Sequence, residues 1–205
     1  MTEPDPRAPG AEQVDRFDIV GIASSAGGIR ALTVVLGGLA ADFPVPVLVV
    51  QHLDPRHETV LAEVLGRRSA LPVSLAKDEE YAEAGTVYLA PPNRHLLVGA
   101  SGELSLSSSE LVHFVRPSAD LLFESMAGAF GARAIACVLT GTGSDGATGV
   151  SVVKSRGGTV IAEDPESAEF KGMPEAAVGT GSVDFVLPLN EIAAVIRDLV
   201  GSRST

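Results

Sequence analysis

Short runs that are apolar at almost every position, alternating with stretches whose apolar residues recur at helical spacing, constrain this chain more than any other feature. Ile19-Val20-Gly21-Ile22-Ala23 and the run Pro-Val-Leu-Val-Val-Gln over 46–51 show no inside–outside alternation. A strand with one face in water alternates apolar and polar residues, whereas a strand covered on both faces has no polar side to keep. On this reading strands are expected over 17–23, 46–51, 71–76, 86–90, 134–140, 159–162 and 183–186. Helices are expected over 28–39, 57–65, 119–130 with Ser118 as its cap, 146–155, 174–178 and 189–200. In the last of these, Ile192, Val195, Ile196 and Leu199 repeat at i, i+3, i+4 and i+7. A hairpin over 95–99 and 103–107, turning at Ala100-Ser101-Gly102, adds an antiparallel piece. The expected fold is α/β: a doubly wound, mostly parallel sheet with helices on both faces and a small antiparallel hairpin.

At 205 residues the chain fits one domain, since domains commonly run to about 100–200 residues. Residues 1–16, rich in proline and acid, read as a flexible tail, 17–200 as the folded domain and 201–205 as a short C-terminal tail. A net charge of -11 opposes nucleic acid or an anionic membrane as principal partner. No apolar stretch approaches the roughly 20 residues that cross a bilayer, and the start lacks the basic-then-apolar pattern of a signal peptide. A cytoplasmic location without membrane insertion is expected. The one cysteine, Cys137, falls in an apolar strand and reads as buried filler rather than a reactive thiol.

Open α/β sheets bind ligands beyond the carboxyl ends of their strands, so the residues that follow each strand carry the chemistry. Ser24-Ser25-Ala26-Gly27-Gly28 ends the first, Gln51-His52 the second, and Gly141-Thr142-Gly143-Ser144-Asp145-Gly146 the strand at 134–140. A serine on a tight turn at a helix start suits either an anion-binding loop or a nucleophile with oxyanion donors beside it. A serine, a histidine and an aspartate at one sheet edge are the groups needed for a hydroxyl nucleophile, a general base and an orienting carboxylate. Each also has an ordinary role: Ser25 as a helix cap, His52 as a loop histidine bonded to backbone, Asp145 as the cap of helix 146–155.

Dinucleotide chemistry fits less well. Gly141-x-Gly143-x-x-Gly146 follows a late strand, and Gln51-His52 stands where a ribose-binding acid is expected. His57, His95 and His113 are scattered without metal-site spacing and read as surface or loop residues. No metal or other cofactor is expected. Arg116, ahead of Pro117-Ser118, either fixes a helix start or clamps a substrate carboxylate. Segments 163–168 and 170–174 follow a strand and can line a cleft, with Met173 as a candidate apolar wall.

Taken in order, several blocks resemble the catalytic domain of the chemotaxis-type protein-glutamate methylesterases, the CheB family. They are Ala23-Ser24-Ser25-Ala26-Gly27-Gly28, Val50-Gln51-His52, Gly85-Thr86-Val87-Tyr88-Leu89-Ala90-Pro91 and Arg116-Pro117-Ser118-Ala119-Asp120-Leu121-Leu122-Phe123. Leu139-Thr140-Gly141-Thr142-Gly143-Ser144-Asp145-Gly146-Ala147, Gly158-Thr159-Val160-Ile161-Ala162 and Gly172-Met173-Pro174-Glu175-Ala176-Ala177 complete the set. The likeness covers about 17–200. It implies Ser25 as nucleophile, His52 as base and Asp145 as orienting carboxylate. The implied reaction is hydrolysis of glutamate γ-methyl esters on a methylated chemoreceptor or similar signalling protein, with glutamine deamidation as a second activity. The backbone N–H of Ala26, with the Thr142-Gly143 loop, is then expected to bind the oxyanion. A catalytically silent protein-binding module on the same fold is the alternative.

The chain departs from the family's usual pattern in several places. Ala23-Ser24-Ser25 stands where Gly-Ala-Ser is common, Ala26 where many members carry Thr, and Thr142 where others have Met. Many members begin with a receiver domain, whereas a short tail is read here, so control by that route is not expected. With a net charge of -11, docking on an acid-rich receptor is expected to depend on a local patch of Arg56, Arg67, Arg68 and Arg94.

Overall fold

The strands β1 (Ile19–Ser24), β2 (Val47–Gln51) and β7 (Ala134–Val138) are buried at every position, as runs without a polar side require. The structure, a computed structural model, describes residues 17–53 and 59–201. The tail expected over 1–16 lies outside the described residues, as do Arg56, His57 and 202–205. The remaining strands are β3 (Val73–Leu75), β4 (Val87–Leu89), β5 (His95–Val98), β6 (Leu104–Ser107), β8 (Thr159–Glu163) and β9 (Phe185–Leu187). The helices are α1 (Gly28–Gly37), α2 (Leu61–Gly66), α3 (Ala119–Phe130), α4 (Ala147–Ser155), α5 (Gly172–Gly179) and α6 (Leu189–Gly201).

Seven strands form one sheet in the order β3-β4-β2-β1-β7-β8-β9, and every neighbouring pair is parallel. β5 and β6 pair antiparallel as the expected hairpin, separate from the main sheet. Helices α1, α2 and α6 cover one face with an aliphatic core that includes Leu32, Val35, Leu65 and Ile196. The other face carries α3, α4, α5 and the hairpin, packed through Leu96, Phe123, Met126, Val150 and Met173. Cys137 lies fully buried in β7, as expected of a filler.

The chain leaves β1 through α1 on one face and β7 through α4 on the other. The boundary between these two adjacent strands is therefore the topological switch point, where loops part and leave a crevice at the carboxyl edge. Several boundaries differ from expectation: α2 begins at Leu61 rather than 57, and α5 spans Gly172–Gly179 rather than 174–178. β9 lies two residues later than the expected start at 183, because an edge strand with half-exposed residues carries a weak pattern. Gly201, expected in the C-terminal tail, ends α6.

Candidate active site

Three strand ends meet at the switch point. Ser25 follows β1, and its N–H donates to the carbonyl of Thr140, 3.0 Å away at the end of β7. His52 follows β2, and its N–H donates to the Ser24 carbonyl at 3.1 Å. Backbone bonds thus lock the serine turn to both neighbouring strands.

The two adjacent serines have different surroundings. Ser24 is fully buried and its hydroxyl donates to Gln51 Oε1 at 2.7 Å. Gln51 Nε2 in turn donates to the carbonyls of Ser25 and His52 at 2.8 and 2.9 Å. One carboxamide therefore ties together the ends of β1 and β2, a role that its position beside His52 did not reveal in sequence. The Ser25 side chain is half-buried, and among the described residues its hydroxyl has no hydrogen-bond partner. Ser25 is not the cap of α1: Gly27, at φ 75°, takes that position. Gly28 has to be glycine for a different reason, since a Cβ there would fall 2.0 Å from Gln51 Oε1.

Asp145 is almost fully buried and accepts four hydrogen bonds. Oδ2 accepts from His52 Nε2 at 2.8 Å and from the Ala119 N–H at 2.6 Å. Oδ1 accepts from the Ser118 hydroxyl at 2.8 Å and the Asp120 N–H at 3.2 Å. Burial pushes the carboxyl's pKa up, but these donors, His52 first, outweigh it and hold the group below the ordinary carboxylate range. An ionised carboxylate can only accept, so Nε2 of His52 carries the proton and Nδ1 keeps the lone pair.

Asp145 was also readable as the cap of α4, and Ser118 as that of α3. Gly146, not Asp145, stands at the N-cap of α4, whereas Ser118 does occupy the N-cap position of α3 but makes no capping bond with its side chain. The Asp145 carboxylate caps α3 from outside, and the Ser118 hydroxyl turns away from its own helix to donate to Asp145. The start of α4 is satisfied by Asp120 instead, whose Oδ1 accepts from Gly146 and Gly149 at 3.0 and 2.7 Å. Burial raises the Asp120 pKa, the Gly149 N–H opposes this, and the neighbouring Asp145 charge adds to the rise. Asp120 Oδ2 receives no hydrogen bond, although His113 Nε2 stands 3.2 Å away. His95, expected at the surface or in a loop, is buried on β5. Its Nδ1 accepts the Ser118 N–H at 3.1 Å and its Nε2 donates to the Glu110 carbonyl at 3.0 Å.

Ala26 has an N–H without a partner among the described residues, while its carbonyl accepts from Thr140 Oγ1 at 3.1 Å. Thr142 and Gly143 are exposed in the loop after β7 and face the segment around Phe170 and Lys171. Met173 is buried: its sulfur lies 2.3 Å from where a Cβ on Gly141 would be, and Ser25 Cβ lies 2.9 Å from the same point. It supports the serine turn from beneath rather than presenting an open wall. Thr140 is the hub of this region. Its N–H donates to the buried Glu163 at 2.7 Å, and its hydroxyl accepts the Phe170 N–H at 2.8 Å. Burial raises the Glu163 pKa, against the Thr140 N–H bond and the nearby Arg30.

Arg116 is held by neutral oxygens, those of Asn93 Oδ1 and the carbonyls of Ser108 and Ser109. It lines a cavity of about 310 Å³ together with His52 and Phe114. Of the expected basic patch, Arg56 lies outside the described residues, and the other three arginines do not come together. Arg67 and Arg68 close α2 beside Gly37, at the end of α1 remote from Ser25, whereas Arg94 opens the hairpin near Arg116. Among the described residues no group of three or more His, Cys, Asp or Glu could hold a metal ion, and no helix is long and apolar enough to cross a membrane.

The CheB methylesterase family model matches residues 20–196. A protein-glutamate methylesterase/protein-glutamine glutaminase of group 3 operon from Rhizobium meliloti (strain 1021) is 42% identical over 186 residues, covering 91% of this chain and 52% of the relative. A putative protein-glutamate methylesterase/protein-glutamine glutaminase from Leptospira interrogans serogroup Icterohaemorrhagiae serovar copenhageni (strain Fiocruz L1-130) is 38% identical over 177 residues, covering 86% of this chain and 92% of the relative. The chain thus spans about half of the first relative and nearly all of the second. The crystal structure of the Thermotoga maritima CheB methylesterase catalytic domain superposes with a TM-score of 0.86 at 40% identity, covering 90% of this chain and 99% of that one. The parallel sheet with its small antiparallel hairpin matches the fold of this catalytic domain, and the chain belongs to the CheB methylesterase family.

Proposed function

We propose that this chain hydrolyses glutamate γ-methyl esters on a protein substrate, a methylated chemoreceptor or a similar signalling protein. The observation that carries the reading is the hydrogen bond of 2.8 Å between His52 Nε2 and Asp145 Oδ2, at the strand ends where Ser25 stands. Asp145 fixes the imidazole with Nδ1 as the free base. Nδ1 takes the proton of the Ser25 hydroxyl as its oxygen attacks the ester carbonyl. The Ser25 hydroxyl has no hydrogen-bond partner among the described residues, and catalytic contacts of this kind often tighten only with substrate bound.

The oxyanion receives the free N–H of Ala26, with the Thr142-Gly143 loop as the second donor; removing one such donor typically costs about 3 kcal/mol of barrier. The imidazolium then gives its proton to departing methanol, and water repeats the steps on the acyl-serine to release glutamate. Glutamine presents the same acyl carbon with NH2 in place of OCH3, so deamidation through the same acyl-serine, with ammonia leaving, is the second activity. Arg116 supplies positive charge in the cavity beside His52, and Met173 keeps the serine turn in position from beneath. The test is methanol release from a methylated receptor fragment. Ser25→Ala is expected to abolish release while leaving the melting curve in place, and a phosphonate adduct is expected on residue 25. An adduct on Ser24, or full activity in Ser25→Ala, would remove the proposal.

A further inference from the structure

Phe114 is 94% exposed, and neighbouring Leu111 is 53% exposed. Large apolar groups are seldom held out in this way unless something covers them. Phe114 also sits on an unfavourable backbone. Val112 and Val115 exchange both backbone hydrogen bonds, at 3.2 and 2.9 Å, so that His113 and Phe114 form a two-residue hairpin turn. Their φ angles are 48° and 65°, the left-handed region in which such turns normally carry Asn-Gly. A β-turn of this kind built from His-Phe gives up backbone comfort to hold an aromatic ring in water, and strain of that sort gathers at ligand contacts.

The turn borders the cavity of about 310 Å³ that His52, Leu53, Leu111, Phe114 and Arg116 line, so the apolar face runs on into the catalytic histidine. Its polar rim is cationic. The guanidinium of Arg116 bonds only neutral oxygens, and that of Arg94 bonds the Ser108 hydroxyl. Among the described residues neither pairs with a carboxylate, in a chain whose net charge is -11. Local positive charge against an acidic background favours a negatively charged partner at this rim.

We infer that the 111–116 turn is the docking face for the acidic polypeptide segment that carries the glutamyl ester. An apolar substrate side chain seats against Phe114 and Leu111, and flanking glutamates face Arg94 and Arg116. This inference rests on the esterase reading above and says where on the chain the substrate polypeptide seats.

The test compares the wild-type chain with Phe114→Ser and Arg94→Glu on two esters. One is a peptide with a single glutamate γ-methyl ester set among glutamates and leucines; the other is p-nitrophenyl acetate. The ratio of kcat/KM on the peptide to that on the small ester is expected to fall about tenfold in each variant, the size of a modest interface hot spot. In the Ser25→Ala background, adding Phe114→Ser is expected to raise the peptide's Kd by a similar factor. A lysine-flanked peptide is expected to bind more weakly than the glutamate-flanked one. An unchanged ratio and Kd, or equal loss on both esters, overturns the docking face. So does loss of binding to phosphatidylserine vesicles with peptide binding intact, which would assign the turn to a membrane. If the wild-type chain cleaves neither ester, the Ser25 reading fails by itself, and the Kd comparison still decides the docking face.

Discussion

Asp145 and Asp120 each cap the helix to which the other is attached. Asp145, just ahead of α4, accepts the first N–H groups of α3, while Asp120 on α3 accepts those of Gly146 and Gly149 at the start of α4. Each carboxylate satisfies donors that a helix start leaves open and that the dipole makes attractive to negative charge. The pair fixes the strand-end loop of β7 against α3, and so fixes the carboxylate to which His52 is bonded.

The two acids respond to pH with opposite sign. Asp145 is held ionised below its ordinary range, so its contribution is present above about pH 4 and is lost as pH falls through its folded value. Asp145→Ala leaves the Ser118 hydroxyl and two backbone N–H groups buried without an acceptor. A loss of about 2–4 kcal/mol in urea denaturation at neutral pH is expected. Asp145→Asn, which keeps the shape, is expected to lower kcat by roughly 10³–10⁴, the loss seen when a triad histidine is held in the wrong tautomer.

Asp120 behaves conversely. Burial makes the folded chain hold its proton to higher pH than the unfolded chain does, with Asp145 adding to this and His113 opposing it. Stability therefore falls as pH rises from about 4 through the folded value. Asp120→Asn retains an oxygen for Gly146 and Gly149 but does not titrate. Its stability relative to wild type is expected to increase over that same pH span. Urea midpoints measured at several pH values check this, and a pH-independent difference would contradict it.

Ser24 and Ser25 are expected to separate cleanly. Ser24→Ala removes the donor to Gln51 Oε1 in the interior and is expected to cost about 1–2 kcal/mol. Its activity loss is expected to be modest, through looser placement of the turn. Ser25→Ala is expected to leave stability within about 0.5 kcal/mol of wild type while ester turnover disappears. Paired denaturation curves and methanol assays on the two variants distinguish the hydroxyls.

The 113–114 turn predicts a conflict between stability and recognition. Phe114→Asn places a residue tolerant of left-handed backbone at φ 65° and removes an exposed ring. A gain of about 0.5–1 kcal/mol in thermal or chemical denaturation is expected. A loss of stability instead would mean that the ring packs on the folded chain.

The sheet was legible because its signal is local: runs such as Val47–Gln51 lack a polar side, and the residues at their ends follow from that. Ser25 and His52 fell out of the same logic, since each directly follows a central strand, and Asp145 lies in the loop that leaves β7. What was not legible depends on contacts between distant segments. Ser118 has the residue type of a helix cap, but the α3–α4 packing brings a stronger acceptor to its hydroxyl. His95 looked like a surface residue until the hairpin folded over α3 and gave both ring nitrogens backbone partners. Arg67 and Arg68 were grouped with Arg94 by charge alone, and helix direction then carried them to the opposite end of the sheet. Phe114 escaped notice because nothing in Leu-Val-His-Phe-Val announces a left-handed turn.

The single thiol of Cys137 lies in β7 with β1 on one side and β8 on the other, and burial pushes its pKa upward. A sulfhydryl reagent can reach it only when the central strands part. Its labelling rate is therefore expected to track global opening, rising with urea in step with the loss of helix signal. The chain thus carries an intrinsic reporter of its own unfolding, readable by mass without any added probe.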